Sequence, residues 1–304
     1  MRRLARALFA LACAGTAAVA VAAVSVVDDD GRVVTLAAPA RRIVSLAPHA
    51  TELLFALDAG ARVVGASAAS DWPPEARSLP RVGDARAIDL ERIVALAPDL
   101  VVTWPYTAPA QVARLRARGV PVFMLDARSL DVLPSQIARL GRLLGDAGRA
   151  ETLAAAGAEQ LEALRARYRG APRVVVFYEV WHAPLYTVGG GHLISQAIAL
   201  CGGTNAFAAE TVPAPLVSVE AVLAARPQAI IAGSDGGGRP AWLDEWRRWP
   251  TLPAVAGGEL HAVDADLLHR SGPRFIDGVE SLCAVIDGVR SRTAAASAAL
   301  KSRH

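Results

Sequence analysis

Six histidines are the residues of this chain best suited to hold a metal or a proton near neutral pH: His49, His182, His192, His261, His269 and His304. None stands in the paired helical spacing of a zinc protease or beside a two-cysteine knuckle. His49, His182 and His269 fall in loop-like sequence after or near a strand, where they can line a cleft. There a neutral imidazole offers one axial bond to a soft metal or a metal macrocycle. The plain alternative is a polar loop histidine with no metal near it. Together with Asp266, the same three make the donor set of an exported metallohydrolase, the competing class. Aromatic residues are scarce, at 5% of the chain, so their positions carry weight. Trp72, Trp104, Tyr106, Tyr178, Trp181 and Tyr186 sit in loops or at strand ends, where a ring can stack on a flat ligand or cover a core edge. Trp242, Trp246 and Trp249 recur at helical spacing and read as packing.

Other enzyme chemistry finds little support. The chain has no nucleophile elbow of the Gly-x-Ser-x-Gly type and no phosphate loop ending in Gly-Lys-Ser/Thr. The glycine triplets at 189–191 and 236–238 do not follow the dinucleotide fingerprint, and turns account for both. Glu91 and Glu220 each fall two residues after a good N-cap, Asp89 and Ser218. A first-turn carboxylate complements the helix dipole by about 0.3–1 kcal/mol, which is the structural reading. The functional one sets a glutamate on the outer face of each of two lobes, ready to meet basic residues of a partner.

These side chains need a scaffold, and 304 residues, 53% of them hydrophobic, suffice for one large or two medium domains. The composition excludes intrinsic disorder, a collagen-like repeat and a small disulfide scaffold. One long uncharged stretch, Ala7 to Val27, follows Arg2, Arg3 and Arg6 and ends at Asp28-Asp29-Asp30. With small residues at Ala20-Val21-Ala22 it reads as a secretory signal peptide over residues 1–23; an uncleaved anchor, or a lipid on Cys13, is the weaker reading. Without those three arginines the 32 basic residues fall to 29, equal to the 29 acidic ones. The mature chain therefore has no charge excess to draw nucleic acid or an anionic membrane. Cys201 and Cys283 remain, and an oxidising compartment allows them to pair; two separate buried thiols are the alternative.

Short β-branched runs alternate with helical stretches, the pattern of βα units and a mainly parallel sheet. Strands are expected near 42–46, 63–66, 100–102, 120–125, 174–177, 229–232 and 260–263. A helical tract over 130–168 is broken by Gly145-Asp146 and Gly148, and a closing helix over 275–289 precedes a frayed tail. One segment repeats: Leu90 to Val102 overlays Val219 to Ile231, with Glu91 on Glu220 and Pro98 on Pro227 at a constant offset of 129. Both copies describe a helix stopped by proline and followed at once by a buried strand. The expected architecture is α/β, with two similar lobes of mainly parallel sheet joined by a long rigid helix and a ligand cleft between them. The boundaries are an N-terminal lobe over 24–145, a connecting helix over 146–170, a C-terminal lobe over 171–290 and a tail over 291–304.

Arg42-Ile43-Val44-Ser45-Leu46-Ala47-Pro48 with Thr51-Glu52 resembles the opening of the periplasmic binding proteins of iron–siderophore, heme and cobalamin importers. Within that superfamily, Ser70-Asp71-Trp72-Pro73-Pro74, Leu90 to Leu96 and Cys201-Gly202-Gly203-Thr204-Asn205 most resemble the vitamin B12-binding proteins. The resemblance covers nearly the whole mature chain and implies a monomeric, periplasmic, non-enzymatic carrier. It would hand cobalamin or another corrinoid to the permease of an ABC importer, with heme or a ferric siderophore as the alternative cargo. It carries the permease-docking role onto Glu91 and Glu220 and ligand contact onto Trp72, Trp104, Asp266 and Arg270. Ala85 and Ala214 depart from the family, standing where its best-known B12 binders carry tryptophans. Trp181 or Tyr186 would rebuild the cleft from the other side, and His49, His182 or His269 would be the axial ligand of a bound metal macrocycle.

Overall fold

The computed structural model describes residues 23–302, apart from Asp235 and Gly237. The expected signal peptide lies outside these residues except for Ala23, as do Arg303 and His304 of the expected tail. No helix among the described residues is long and apolar enough to cross a membrane.

The chain opens with an antiparallel hairpin, β1 (Val24–Val27) and β2 (Val33–Leu36). A first parallel sheet follows, from β3 (Ile43–Ser45), β4 (Val63–Ala66), β5 (Leu100–Thr103) and β6 (Val122–Met124), in the order β4-β3-β5-β6. Its helices are α1 (Pro48–Ala56), α2 (Leu90–Ala95) and α3 (Pro109–Ala117). Every residue of β5 is buried, because helices cover both faces of a parallel sheet. Two helices then cross to the second half, α4 (Val132–Leu144) and α5 (Ala147–Tyr168).

The second half repeats the plan with β7 (Val174–Glu179), α6 (Leu193–Leu200), β8 (Gly203–Asn205), α7 (Val219–Ala225) and β9 (Ala229–Ser234). It closes with α8 (Pro253–Ala256), β10 (Leu260–Asp264), α9 (Ala265–Leu268) and α10 (Phe275–Lys301). This parallel sheet runs β8-β7-β9-β10, so in both halves the first strand is interior, the second flanks it and the third and fourth extend the other side. Two similar α/β lobes are thus present, as the repeat implied.

The repeat is conformational as well as topological. Asp89 caps α2 by accepting the Arg92 N–H at 2.9 Å, and Ser218 caps α7 by accepting the Ala221 N–H at 3.2 Å. At the other end Ala97 and Arg226, again 129 residues apart, both turn left-handed, at φ 46° and 48°. Pro98 and Pro227 disfavour the right-handed helical region for the residue before them, so each helix stops there and its strand begins.

Helices α4 and α5 belong to both lobes. Asp146 caps α5, and its 22 residues span about 33 Å. Ala150 and Ala154 pack into the first lobe's core, whereas Leu161, Leu164 and Tyr168 pack into the second's. On α4, Leu133 joins the second core and Ile137, Leu140 and Leu143 the first. The two helices approach closely at Gly141, where an added Cβ would lie 2.0 Å from the Ala150 Cβ. Cys201 and Cys283 form a disulfide that ties the end of α6 to α10. The last helix does not fray after Val289: α10 runs on to Lys301, because the Ala-rich segment from Thr293 has strong intrinsic helix propensity even where it is exposed.

Candidate ligand-binding cleft

In each sheet the strands lead at their carboxyl ends into loops that face the opposite lobe. Ligands of parallel α/β sheets bind outside these ends. A cavity of about 530 Å³ lies there, walled by His49, Trp104 and Tyr106 of the first lobe and by His192, His269 and Phe275 of the second. Trp104 follows β5 directly, and His49 occupies the first turn of α1, whose Pro48 fixes the backbone entering the helix. The Trp104 ring is held from two sides, 5.3 Å from His49 and 4.8 Å from Tyr106, the latter edge-on. Its indole N–H is buried and meets no acceptor among the described residues.

The imidazoles are tuned by burial. His49 is buried, and desolvation together with the positive charge of Arg270 brings its pKa down to about 4. Desolvation, aided by neighbouring His269, brings His192 to about 4 as well. His192 also caps α6, its Nδ1 accepting the Ile194 N–H at 3.1 Å. His269 Nε2 lies 3.1 Å from the hydroxyl of Tyr178, a phenol whose pKa burial and then Asp264 push upward. At neutral pH the His49 and His192 rings are therefore uncharged.

Beside the cavity the lobes are joined by a clasp. Glu52 of α1, 3% exposed at its side chain, accepts from Arg274 Nε at 2.8 Å and from its Nη2 at 2.7 Å. Arg270 reaches Glu52 at 3.1 Å, Asp71 at 2.7 Å and Asp266 at 2.9 Å. Its hydrogen bond to Asp71 is the main reason that carboxyl sits below its ordinary value. The Arg274 guanidinium lies over the ring of Trp72, 4.5 Å from its centroid.

The residues singled out from sequence therefore separate into groups. His49, Trp104 and His269 line the cavity. Trp72, Asp266 and Arg270 meet in the clasp, with Glu52, Asp71 and Arg274 as partners. Trp181 and Tyr186 pair with each other by backbone hydrogen bonds; Trp181 is 60% exposed, its indole N–H donating to Ala183, and neither lines the cavity. His182 is packed elsewhere, stacked on Trp242 at 4.9 Å and bonded through Nδ1 to Glu179 at 2.8 Å. Burial raises the Glu179 carboxyl, which also accepts from Trp246 Nε1 at 2.8 Å. His49, His182, Asp266 and His269 thus do not gather around one point. Glu91 and Glu220 are exposed in the first turns of α2 and α7. The Glu220 carboxyl lies below its ordinary value through its own backbone N–H and the Ser218 hydroxyl. Sequence reasoning did not single out His192 for the cleft, since histidine is not among the usual capping residues.

Two α/β lobes around an inter-lobe cavity, with cores sharing two helices, make the architecture of a two-lobed binding protein. Residues 43–267 match the model of the periplasmic binding protein family. The chain is 36% identical over 247 residues, 81% of its length and 88% of the relative's, to the vitamin B12-binding protein of Vibrio cholerae serotype O1. It is similar to the crystal structure of periplasmic vitamin B12-binding protein BtuF of Vibrio cholerae, with a TM-score of 0.77 and 35% identity over 83% of this chain and 98% of that one. It is also similar to the periplasmic heme-binding protein RhuT from Roseiflexus sp. RS-1, with a TM-score of 0.71 and 30% identity over 82% and 99%. The chain belongs to the periplasmic binding protein family.

Proposed function

We propose that this chain is exported to the periplasm, where as a monomer it captures cobalamin or a related corrinoid and delivers it to the permease of an ABC importer. The observation that carries the choice of cargo is the polarity of the cavity. A corrinoid is a flat macrocycle rimmed by neutral amides, whose carbonyl groups accept hydrogen bonds. The uncharged rings of His49 and His192, both lining the cavity, suit such a rim. Heme carries two propionates and calls for cations. Among the described lining residues the one arginine, Arg128, is paired with Asp126 at 2.5 Å. Arg270 is engaged by three carboxylates outside the cavity. Sequence likeness to vitamin B12-binding proteins over four-fifths of the chain points the same way.

Binding here is non-catalytic, in keeping with a family of substrate-binding proteins. Shared helices and the clasp hold the lobes in place, so affinity comes from a largely preformed cleft. Glu91 and Glu220, one per lobe at equivalent places in the repeat, are the docking charges for basic pockets of the permease. Titrating the mature protein with cobalamin, cobinamide, heme and ferric siderophores, read by tryptophan quenching, tests the cargo. Corrinoid binding is expected; binding of heme alone would reject it.

A further inference from the structure

Three imidazoles face the cavity, and their hydrogen bonds make them chemically unequal. His192 uses the Nδ1 lone pair to accept the Ile194 N–H, so its neutral ring carries the proton on Nε2 and presents a donor there. The Nε2 of His269 is engaged with the Tyr178 hydroxyl. His49 differs. It is 4% exposed, and no described residue hydrogen-bonds its ring, which touches the tilted face of Trp104. Desolvation and the nearby Arg270 guanidinium keep the ring neutral above pH about 4, so a nitrogen lone pair is available throughout the working range.

Resting on the corrinoid reading above, we infer that His49 bonds the cobalt of the cargo through a ring nitrogen, making the cleft selective for corrinoids with an exchangeable axial position. The step is a ligand exchange. The nitrogen lone pair forms the bond to cobalt, a coordinated water leaves, and no electron or proton is transferred. Imidazole is a fitting donor for this class of metal. Trp104, in contact with His49, would then lie beside the macrocycle. Cobinamide offers such positions, whereas cyanocobalamin has both filled, by cyanide and by its own base.

Electron paramagnetic resonance of cob(II)inamide bound to the mature protein tests this directly, because one coordinated nitrogen-14 splits the cobalt lines into triplets. The wild-type complex is expected to show the triplets, His49→Ala to lose them, and His192→Gln to retain them. Added imidazole should restore them in His49→Ala. Affinity for aquacobinamide should fall by roughly tenfold or more in His49→Ala, while that for cyanocobalamin changes less than about threefold. Cobinamide bound by the wild type without triplets, or triplets persisting in His49→Ala, would overturn the inference and leave the corrinoid reading intact. A wild-type protein that binds no corrinoid would overturn both. The wild-type spectrum decides the matter even if the alanine variant folds poorly.

Discussion

Glu52 and Arg274, one from each lobe, meet side by side through two hydrogen bonds of 2.8 and 2.7 Å. Paired nitrogens facing paired oxygens make the geometry in which a guanidinium binds a carboxylate most strongly. Arg270 adds a third bond to the same carboxylate and anchors Asp71 and Asp266.

Removing the charge of Glu52 tests how much the clasp contributes. Glu52→Gln leaves two partly buried guanidiniums short of a partner, though Arg270 keeps two other carboxylates. A loss of about 2–3 kcal/mol is expected, below the full penalty for breaking a fully buried pair. Thermal unfolding should show Tm lowered by about 4–8 °C. An unchanged Tm would mean that the clasp contributes little to stability.

Acid should weaken the fold through the cleft histidines. A histidine whose pKa drops on folding stabilises the native state above its unfolded value of about 6.5 and loses that contribution as pH falls toward 4. His49 and His192 each contribute up to about 3 kcal/mol in this way. Glu179 acts in the opposite sense, its raised carboxyl favouring the fold at lower pH. His192→Asn keeps a capping acceptor and removes one titration. Urea midpoints at pH 7 and pH 4.5 should therefore lie closer together in that variant than in the wild type.

Opening the disulfide should destabilise the fold with little effect on ligand contact. Cys201 and Cys283 are separated by 82 residues, and a loop of that size corresponds to roughly 4 kcal/mol of restricted unfolded chain. The double alanine variant is expected to melt on the order of 10 °C lower and still bind cobinamide. Loss of binding at a temperature where the variant remains folded would contradict this.

Reversing the two surface glutamates should separate capture from delivery. Glu91→Lys with Glu220→Lys leaves the cavity residues untouched, so ligand affinity should stay within about twofold. Uptake of labelled corrinoid by cells relying on this protein should collapse. Normal uptake would remove the docking assignment.

Local rules made much of the scaffold legible. The caps at Asp89 and Ser218 and the stops at Pro98 and Pro227 act within a few residues, so the repeated helix–strand unit could be read without coordinates. The full length of the closing helix is not legible in this way, since its last part is held by propensity rather than by an apolar stripe. The site was legible only in pieces. Trp104 and His49 could be named as residues near strand ends, but their contact depends on two separate strands meeting. Glu52 and Arg274 lie 222 positions apart, and no local pattern pairs them. Trp181 and Tyr186 sit near a strand end, but the turn that joins them sets where they point.

The single rod of α5 carries alanines bound into one half of the molecule and leucines bound into the other. Excising either half would strip an apolar stripe bare. Although the two halves repeat one strand order, neither holds a complete core without the helices it shares with the other. With both cores built on the same two helices, the halves are expected to unfold in one step.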